Sequence, residues 1–125
     1  MENKRASSNN YLNYLYRLEL ARKLPGATKL DPLEERMLSC LAPAWHLGKK
    51  ITVLEAMKNC SHMSSTTAHR RLKSLRKKGF VNLVSDEDDN RIKYVLPTDS
   101  VHQYFAQIWQ CIEEARADRT HSHRL

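Results

Sequence analysis

Residues 64–79 read SSTTAHRRLKSLRKKG, and the fold of the chain turns on how that stretch is read. It opens on a run of hydroxyls, which favour the helix N-cap, and closes on Gly79, the residue type preferred just past a helix end. Between them Ala68, Leu72 and Leu75 recur at i, i+4 and i+7 and form a narrow apolar stripe. At about 100° per residue, Thr66, His69, Arg70, Lys73 and Lys77 fall on or near the opposite face. A thin apolar edge with a broad face of hydroxyls and cations suits a major groove, where such groups bond to base edges and phosphates. A solvated surface helix has the same pattern, so the flanking sequence decides between them.

Upstream, Gly48, Lys49 and Lys50 make a turn, and Thr52-Val53-Leu54-Glu55 is a capping box that opens a short helix to about Lys58. Asn59-Cys60-Ser61-His62 then leads into the basic stretch. Two short helices on a tight polar link, the second one basic, make a helix-turn-helix. After Gly79 the period changes to two: Phe80–Val84 and Ile92–Leu96 read as strands, with residues 85–91 as a polar hairpin tip. A helix-turn-helix followed at once by a β-hairpin is a winged helix.

The outer segments supply helices. Asp31 as cap, Pro32 at N1 and Glu34 at N3 start a helix carrying Met37, Leu38, Leu41 and Trp45, which Pro43 should kink or end. Before it, Tyr11, Tyr14, Leu15 and Leu18 mark a first helix over 9–24, while polar residues 1–8 read as disordered. After the wing, Thr98 or Asp99 caps a last helix over 99–116. Its stripe, rich in aromatics, is longer than the edge of a small domain needs. Tyr104, Phe105, Ile108, Trp109 and Ile112 are therefore expected at a homodimer interface, with Tyr11, Leu15 and Leu18 of the first helix. Residues 117–125 form a basic tail, expected to be frayed. The fold class expected is mainly α with a small β-hairpin wing (α+β). A single domain over 9–116 has its winged helix-turn-helix core at 31–98, between N- and C-terminal dimerisation helices.

A chain of 125 residues fits one domain. Its formal charge of +7 is uneven: from Ala56 to Ser85 there is no Asp or Glu, against Lys58, Arg70, Arg71, Lys73, Arg76, Lys77 and Lys78. That favours a polyanionic partner, and nucleic acid over a membrane, because the basic helix lacks a bulky inserting face. No apolar run approaches the roughly 20 residues that span a bilayer. The N-terminus lacks a signal-peptide core, so a cytoplasmic location is expected.

Cys40, Cys60 and Cys111 are odd in number and never paired as CxxC, which argues against a disulfide framework or a zinc site. Cys40 and Cys111 read as small core residues, and Cys60, on a loop, as the one thiol worth considering as a sensor. Asp86, Asp88 and Asn90 start like an EF-hand, but Arg91 and Pro97 stand where glycine and glutamate are needed. Glu34 and Glu35 read as first-turn helix charges. No nucleophile has a plausible base, so no enzyme activity, metal or cofactor is expected.

The run Met63-Ser64-Ser65-Thr66-Thr67-Ala68-His69-Arg70-Arg71-Leu72-Lys73-Ser74-Leu75-Arg76-Lys77-Lys78-Gly79-Phe80-Val81 resembles the recognition helix and first wing strand of MarR-type winged-helix regulators. Ser64, Thr67, Arg70, Leu72, Leu75, Gly79, Phe80 and Val81 match position by position, and Asp86, Asp89 and Arg91 meet the wing motif. The likeness covers roughly Leu30 to Thr98. Departures are Asp88 and Asn90, where arginines are common, and a single helix after the wing instead of two.

The resemblance implies a sequence-specific regulator that binds double-stranded DNA as a homodimer, with a small-molecule effector a further possibility of the family. The recognition helix would span about 64–78 and the wing 81–96. Ser65, Thr66, His69 and Arg70 would face base edges, Ser64, Thr67, Arg71, Lys73 and Lys77 would serve phosphates, and Arg91 would approach the minor groove. The rival reading is a protein-interaction module that uses the winged helix as a scaffold for an acidic partner.

Overall fold

A computed structural model describes residues 2–27, 29–60 and 62–118. The elements run α1 (Glu2–Lys23), α2 (Pro32–His46), β1 (Ile51–Thr52), α3 (Val53–Asn59), α4 (Ser65–Lys77), β2 (Val81–Ser85), β3 (Lys93–Pro97) and α5 (Asp99–Ala117). They fall into two compact units: Leu30–His102, and the segment up to Lys29 together with that from Gln103 onward.

The Leu30–His102 unit is a winged helix-turn-helix. Both capping boxes read from the sequence are present. Glu34 N–H donates to Asp31 Oδ1 at 2.7 Å and Asp31 N–H to Glu34 Oε1 at 2.8 Å. Thr52 and Glu55 repeat the exchange at the start of α3. The core joins Met37, Leu38 and Leu41 of α2 to Ala68, Leu72 and Leu75 of α4 and to Val81 and Val95 of the sheet, all buried. Burying a large aliphatic side chain contributes about 1.5–3 kcal/mol, so the stripe on α4 is what holds that helix in place.

Pro43 does not end or break up α2, which continues to His46. A proline this close to a C-terminus removes only one helical hydrogen bond. The last turn is held by Leu47 N–H to the Pro43 carbonyl at 3.2 Å and by Trp45 Nε1–H, which donates to the Val95 carbonyl at 3.0 Å.

The sheet has three antiparallel strands in the order β1-β3-β2, with Leu83 opposite Val95 and Ile51 on its other side. The sequence reading gave Thr52 to a helix cap and singled out no strand at Ile51–Thr52, because two residues carry no period. The wing strands lie one residue later than expected, at Val81–Ser85 and Lys93–Pro97.

Between α4 and β2 the chain reverses in a Schellman motif. Gly79 takes φ +86°, Gly79 N–H donates to the Arg76 carbonyl at 3.0 Å, and Phe80 N–H to the Leu75 carbonyl at 2.9 Å. Thr98 Oγ1 donates to the Gly79 carbonyl at 2.6 Å and accepts from Val101 N–H at 3.3 Å, so Thr98 caps α5 and fastens this reversal.

The other unit pairs α1 with α5. Helix α1 begins at Glu2, so residues 2–8, expected to be disordered, are helical. No Gly or Pro interrupts 2–23, and extending a nucleated helix adds a hydrogen bond per residue. Arg17 spans to α5, with Nη1 3.0 Å from Glu114 Oε2 and Nη2 2.8 Å from Asp118 Oδ2. Buried Asn13 donates to the same Asp118 oxygen at 3.3 Å. The tail therefore starts later than residue 117; its remaining residues, His121 and His123 included, lie outside those described.

Candidate nucleic-acid interface

Helix α4 carries three edges besides its buried stripe. At about 100° per residue, Arg71, Ser74 and Lys78 line one edge, Thr66, Arg70, Lys73 and Lys77 the broad outer face, and His69 with Arg76 the edge toward the wing.

The first edge is fastened to α2. Glu34 is fully buried, and its carboxylate accepts from Ser74 Oγ and Lys78 Nζ, each at 2.6 Å, as well as from Asp31 N–H. Burial, the largest influence, pushes its pKa up, but the Asp31 amide, Lys78 and Ser74 outweigh it and hold the carboxyl below the ordinary value. Arg71 Nε lies 3.0 Å from Asp31 Oδ2, an ion pair whose N–H is not aligned for a hydrogen bond. Glu34 is the first-turn, capping-box charge read from the sequence, and the structure adds that it is a buried anchor for α4. Arg71, expected to serve phosphates, is paired with Asp31 at the cap of α2. The i, i+3, i+7 spacing of Arg71, Ser74 and Lys78 was the available signal.

The outer face is different. Ser65, Thr66, His69, Arg70, Lys73 and Lys77 are all exposed, and among the described residues none of Arg70, Lys73 or Lys77 has an ionic partner. Ser64 caps the helix: its Oγ accepts from Thr67 N–H at 3.2 Å and donates to Thr67 Oγ1 at 2.9 Å. The first turn contains no acidic residue, so the positive end of the helix dipole is left uncompensated at the point where Ser65 and Thr66 project.

The wing tip is organised by Asp86, whose carboxylate accepts from Tyr94 OH at 2.7 Å and from the amides of Asp88 and Asp89. The tyrosine hydroxyl, with those amides, lowers the Asp86 pKa, and the same bond raises that of Tyr94. Arg91 forms a two-pronged pair with Asp89, at 3.0 and 3.1 Å, while its side chain stays 90% exposed. Between α4 and the wing lies a groove of about 570 Å³, with Leu54, Leu83 and Ile92 among its apolar walls and Lys73, Arg76 and Arg91 among its cations.

The residues expected at a dimer interface share the α1–α5 unit. Tyr11, Leu15 and Trp109 are exposed, Trp109 by 57%, and Leu18, Tyr104, Phe105, Ile108 and Ile112 are half-buried. Leu12, Tyr16 and Leu20 on α1, and Leu24 just past its end, add exposed apolar surface that the sequence reading had not singled out. Among the described residues no helix is long and apolar enough to cross a membrane, and no group of three His, Cys, Asp or Glu is placed to hold a metal.

The architecture is shared with solved winged-helix regulators. The haem sensor protein PefR from Streptococcus agalactiae, in complex with haem, is 23% identical with a TM-score of 0.59, over 91% of this chain and 76% of that one. MarR is 22% identical at a TM-score of 0.56, over 82% and 70% of the two chains. MepR of S. aureus, solved in complex with DNA, is 16% identical at 0.58, over 94% and 82%. No protein-family model matches the sequence, and a search of curated proteins finds no match. The chain has the fold of MarR-type winged-helix regulators.

Proposed function

We propose that the chain is a sequence-specific transcription regulator that binds double-stranded DNA as a homodimer, with α4 in the major groove and the wing beside the minor groove. The observation that carries this is the sorting of cations on α4. Arg71 and Lys78 are tied to Asp31, the cap of α2, and to Glu34, whereas Arg70, Lys73 and Lys77 face outward with no counter-charge among the described residues. The MepR–DNA complex supports it through its shared fold. Ser65, Thr66, His69 and Arg70 read base edges, with Arg70 meeting a guanine bidentately. Ser64, Thr67, Lys73 and Lys77 grip phosphates, and Arg91 reaches toward the minor groove. The exposed apolar residues of α1 and α5 form the subunit interface, giving half-sites about 34 Å apart or a multiple of it.

The test compares two variants on a selected site and on scrambled DNA across a salt series. Arg70→Ala should cost about 1–3 kcal/mol on the selected site and little on scrambled duplex. Lys77→Ala should weaken both alike and lower the log–log salt slope by about 0.9 for each phosphate no longer neutralised, twice that for a symmetric dimer. Equal losses on both duplexes for Arg70→Ala would refute its assignment as a base reader.

A further inference from the structure

The apolar walls of the groove between α4 and the wing have no role in binding a duplex. Leu54, in the first turn of α3, is 74% exposed, and Ile92, just before β3, is 38% exposed. With half-buried Leu83 and buried Leu72 they line the groove of about 570 Å³. No acidic residue lines it, whereas Lys73, Arg76 and Lys93 do. Among the described residues none of those three has an ionic partner, while Arg91 beside them is already paired with Asp89.

Exposed apolar surface of this kind is stabilised when something apolar covers it. Duplex DNA is a poor cover, because its major groove presents donors and acceptors and, as apolar groups, only thymine methyls. Its phosphates would satisfy the cations and leave Leu54 and Ile92 in water. Along α4, His69 and Arg76 both line the groove seven residues apart. At 1.5 Å per residue that is about 10.5 Å, two turns of a helix laid alongside.

We propose that the groove between α4 and the wing is the docking site for a short acidic amphipathic helix of a partner protein, whose apolar edge covers Leu54, Leu83 and Ile92 while its carboxylates meet Lys73, Arg76 and Lys93.

The sign of the rim sets the sign of the partner. The chain's own acidic run, Asp86 to Asp89, has the right charge, but residues 85–91 contain no apolar side chain. The wing tip of a second copy would therefore meet the cations and leave the walls bare. A single small carboxylate would neutralise one cation of the three. A two-turn helix places several acids on both flanks of one apolar stripe, which is what a helix-in-groove site requires. His69 and Lys73 belong to this groove and also to the face assigned to DNA, so a docked partner and a duplex compete for α4. That exclusion rests on the DNA-binding reading, whereas the docking does not.

The probe is a fluorescein-labelled synthetic peptide of about 15 residues, with Leu at i, i+4 and i+7, Glu on both flanks of that stripe and Ala elsewhere. One control scrambles the same composition so that the stripe is lost, and another replaces every Glu by Lys. Anisotropy with the full-length chain should show the peptide binding at least about tenfold tighter than its scrambled form, the scale of one large aliphatic side chain taken from water. The Lys peptide should not bind. Leu54→Ser, at a position too exposed to disturb folding, should cost the peptide about tenfold and leave affinity for random duplex unchanged. Arg76→Ala should cost it about two- to fivefold and reduce the salt dependence of its binding. Equal affinity for the scrambled peptide, undiminished affinity in Leu54→Ser, or no binding up to about 1 mM would overturn the proposal. So would displacement of the peptide by an equal concentration of octanoate, which would make the groove a pocket for one small anionic amphiphile. Labelled duplex should be released as the peptide fills the groove, and a chain that holds both at once would overturn the exclusion alone. A chain that binds the peptide and no duplex would refute the DNA-binding reading and leave the docking site standing.

Discussion

Replacing Glu34 by alanine tests whether the seat of α4 is as ionic as the structure shows. The carboxylate is fully buried and accepts from Asp31 N–H, Ser74 Oγ and Lys78 Nζ at 2.8, 2.6 and 2.6 Å. Losing the reciprocal half of the capping box should cost about 0.5–1 kcal/mol. Leaving the half-buried Ser74 hydroxyl without its acceptor adds about 1 kcal/mol. Lys78 is 38% exposed on its side chain and can turn to water, so its share falls well short of a fully buried pair, at about 0.5–1 kcal/mol. The total expected for Glu34→Ala is about 2–3 kcal/mol. Glu34→Gln keeps the shape and most hydrogen bonds but not the charge, and should cost about 1 kcal/mol.

The pH dependence has a fixed sign. A carboxyl held below its ordinary 4.5 contributes stability that is fully present above that value and is lost as pH falls through the folded-state pKa. Urea melts at one protein concentration, run from about pH 7 to about pH 3, should show the wild-type advantage over Glu34→Gln shrinking only below about pH 4.5. An alanine variant within about 0.5 kcal/mol of wild type, or an advantage unchanged at the acid end, would refute the anchor.

Other outcomes follow from single features. Ile108→Asp with Ile112→Asp should yield a soluble monomer with much weaker duplex binding, read by sedimentation, and a wild type that sediments as monomer at tens of micromolar would defeat the interface. Gly79→Ala should cost about 1 kcal/mol or somewhat more, purely from its φ of +86°, since a Cβ there meets no atom within 4 Å; Gly79→Asn should cost less. Thermal melts of the two variants check the order. Arg71→Ala should leave the DNA salt slope nearly unchanged while lowering stability by up to about 1 kcal/mol, the reverse of Lys77→Ala.

How far the sequence could be read depended on how local each cause was. Caps, the three-residue stripe of α4 and the period of the wing all act within a turn or a strand pair, and Ala68, Leu72 and Leu75 are as buried as their spacing requires. Glu34 escaped because its partners Ser74 and Lys78 lie 40 and 44 residues away, and no local rule distinguishes a buried carboxylate from a solvated one. Arg70 and Arg71 are chemically identical neighbours, yet a rotation of about 100° sends one outward and the other onto Asp31. Only knowledge of which helix lies behind α4 separates them. The Cys40–His62 contact was hidden for the same reason, since it joins α2 to the turn that leads into α4.

The two tryptophans give the molecule a pair of independent optical probes. Trp45 holds its indole N–H against the Val95 carbonyl inside the winged-helix unit, while Trp109 stands 57% exposed on α5 in the other. A Trp109→Phe chain emits only from the α2–β3 contact and should resist an aqueous quencher until that unit melts. A Trp45→Phe chain emits only from α5, and its quenching should fall as soon as anything covers that helix. Measured side by side, the two emissions separate unfolding of the winged helix from burial of α5 in one cuvette.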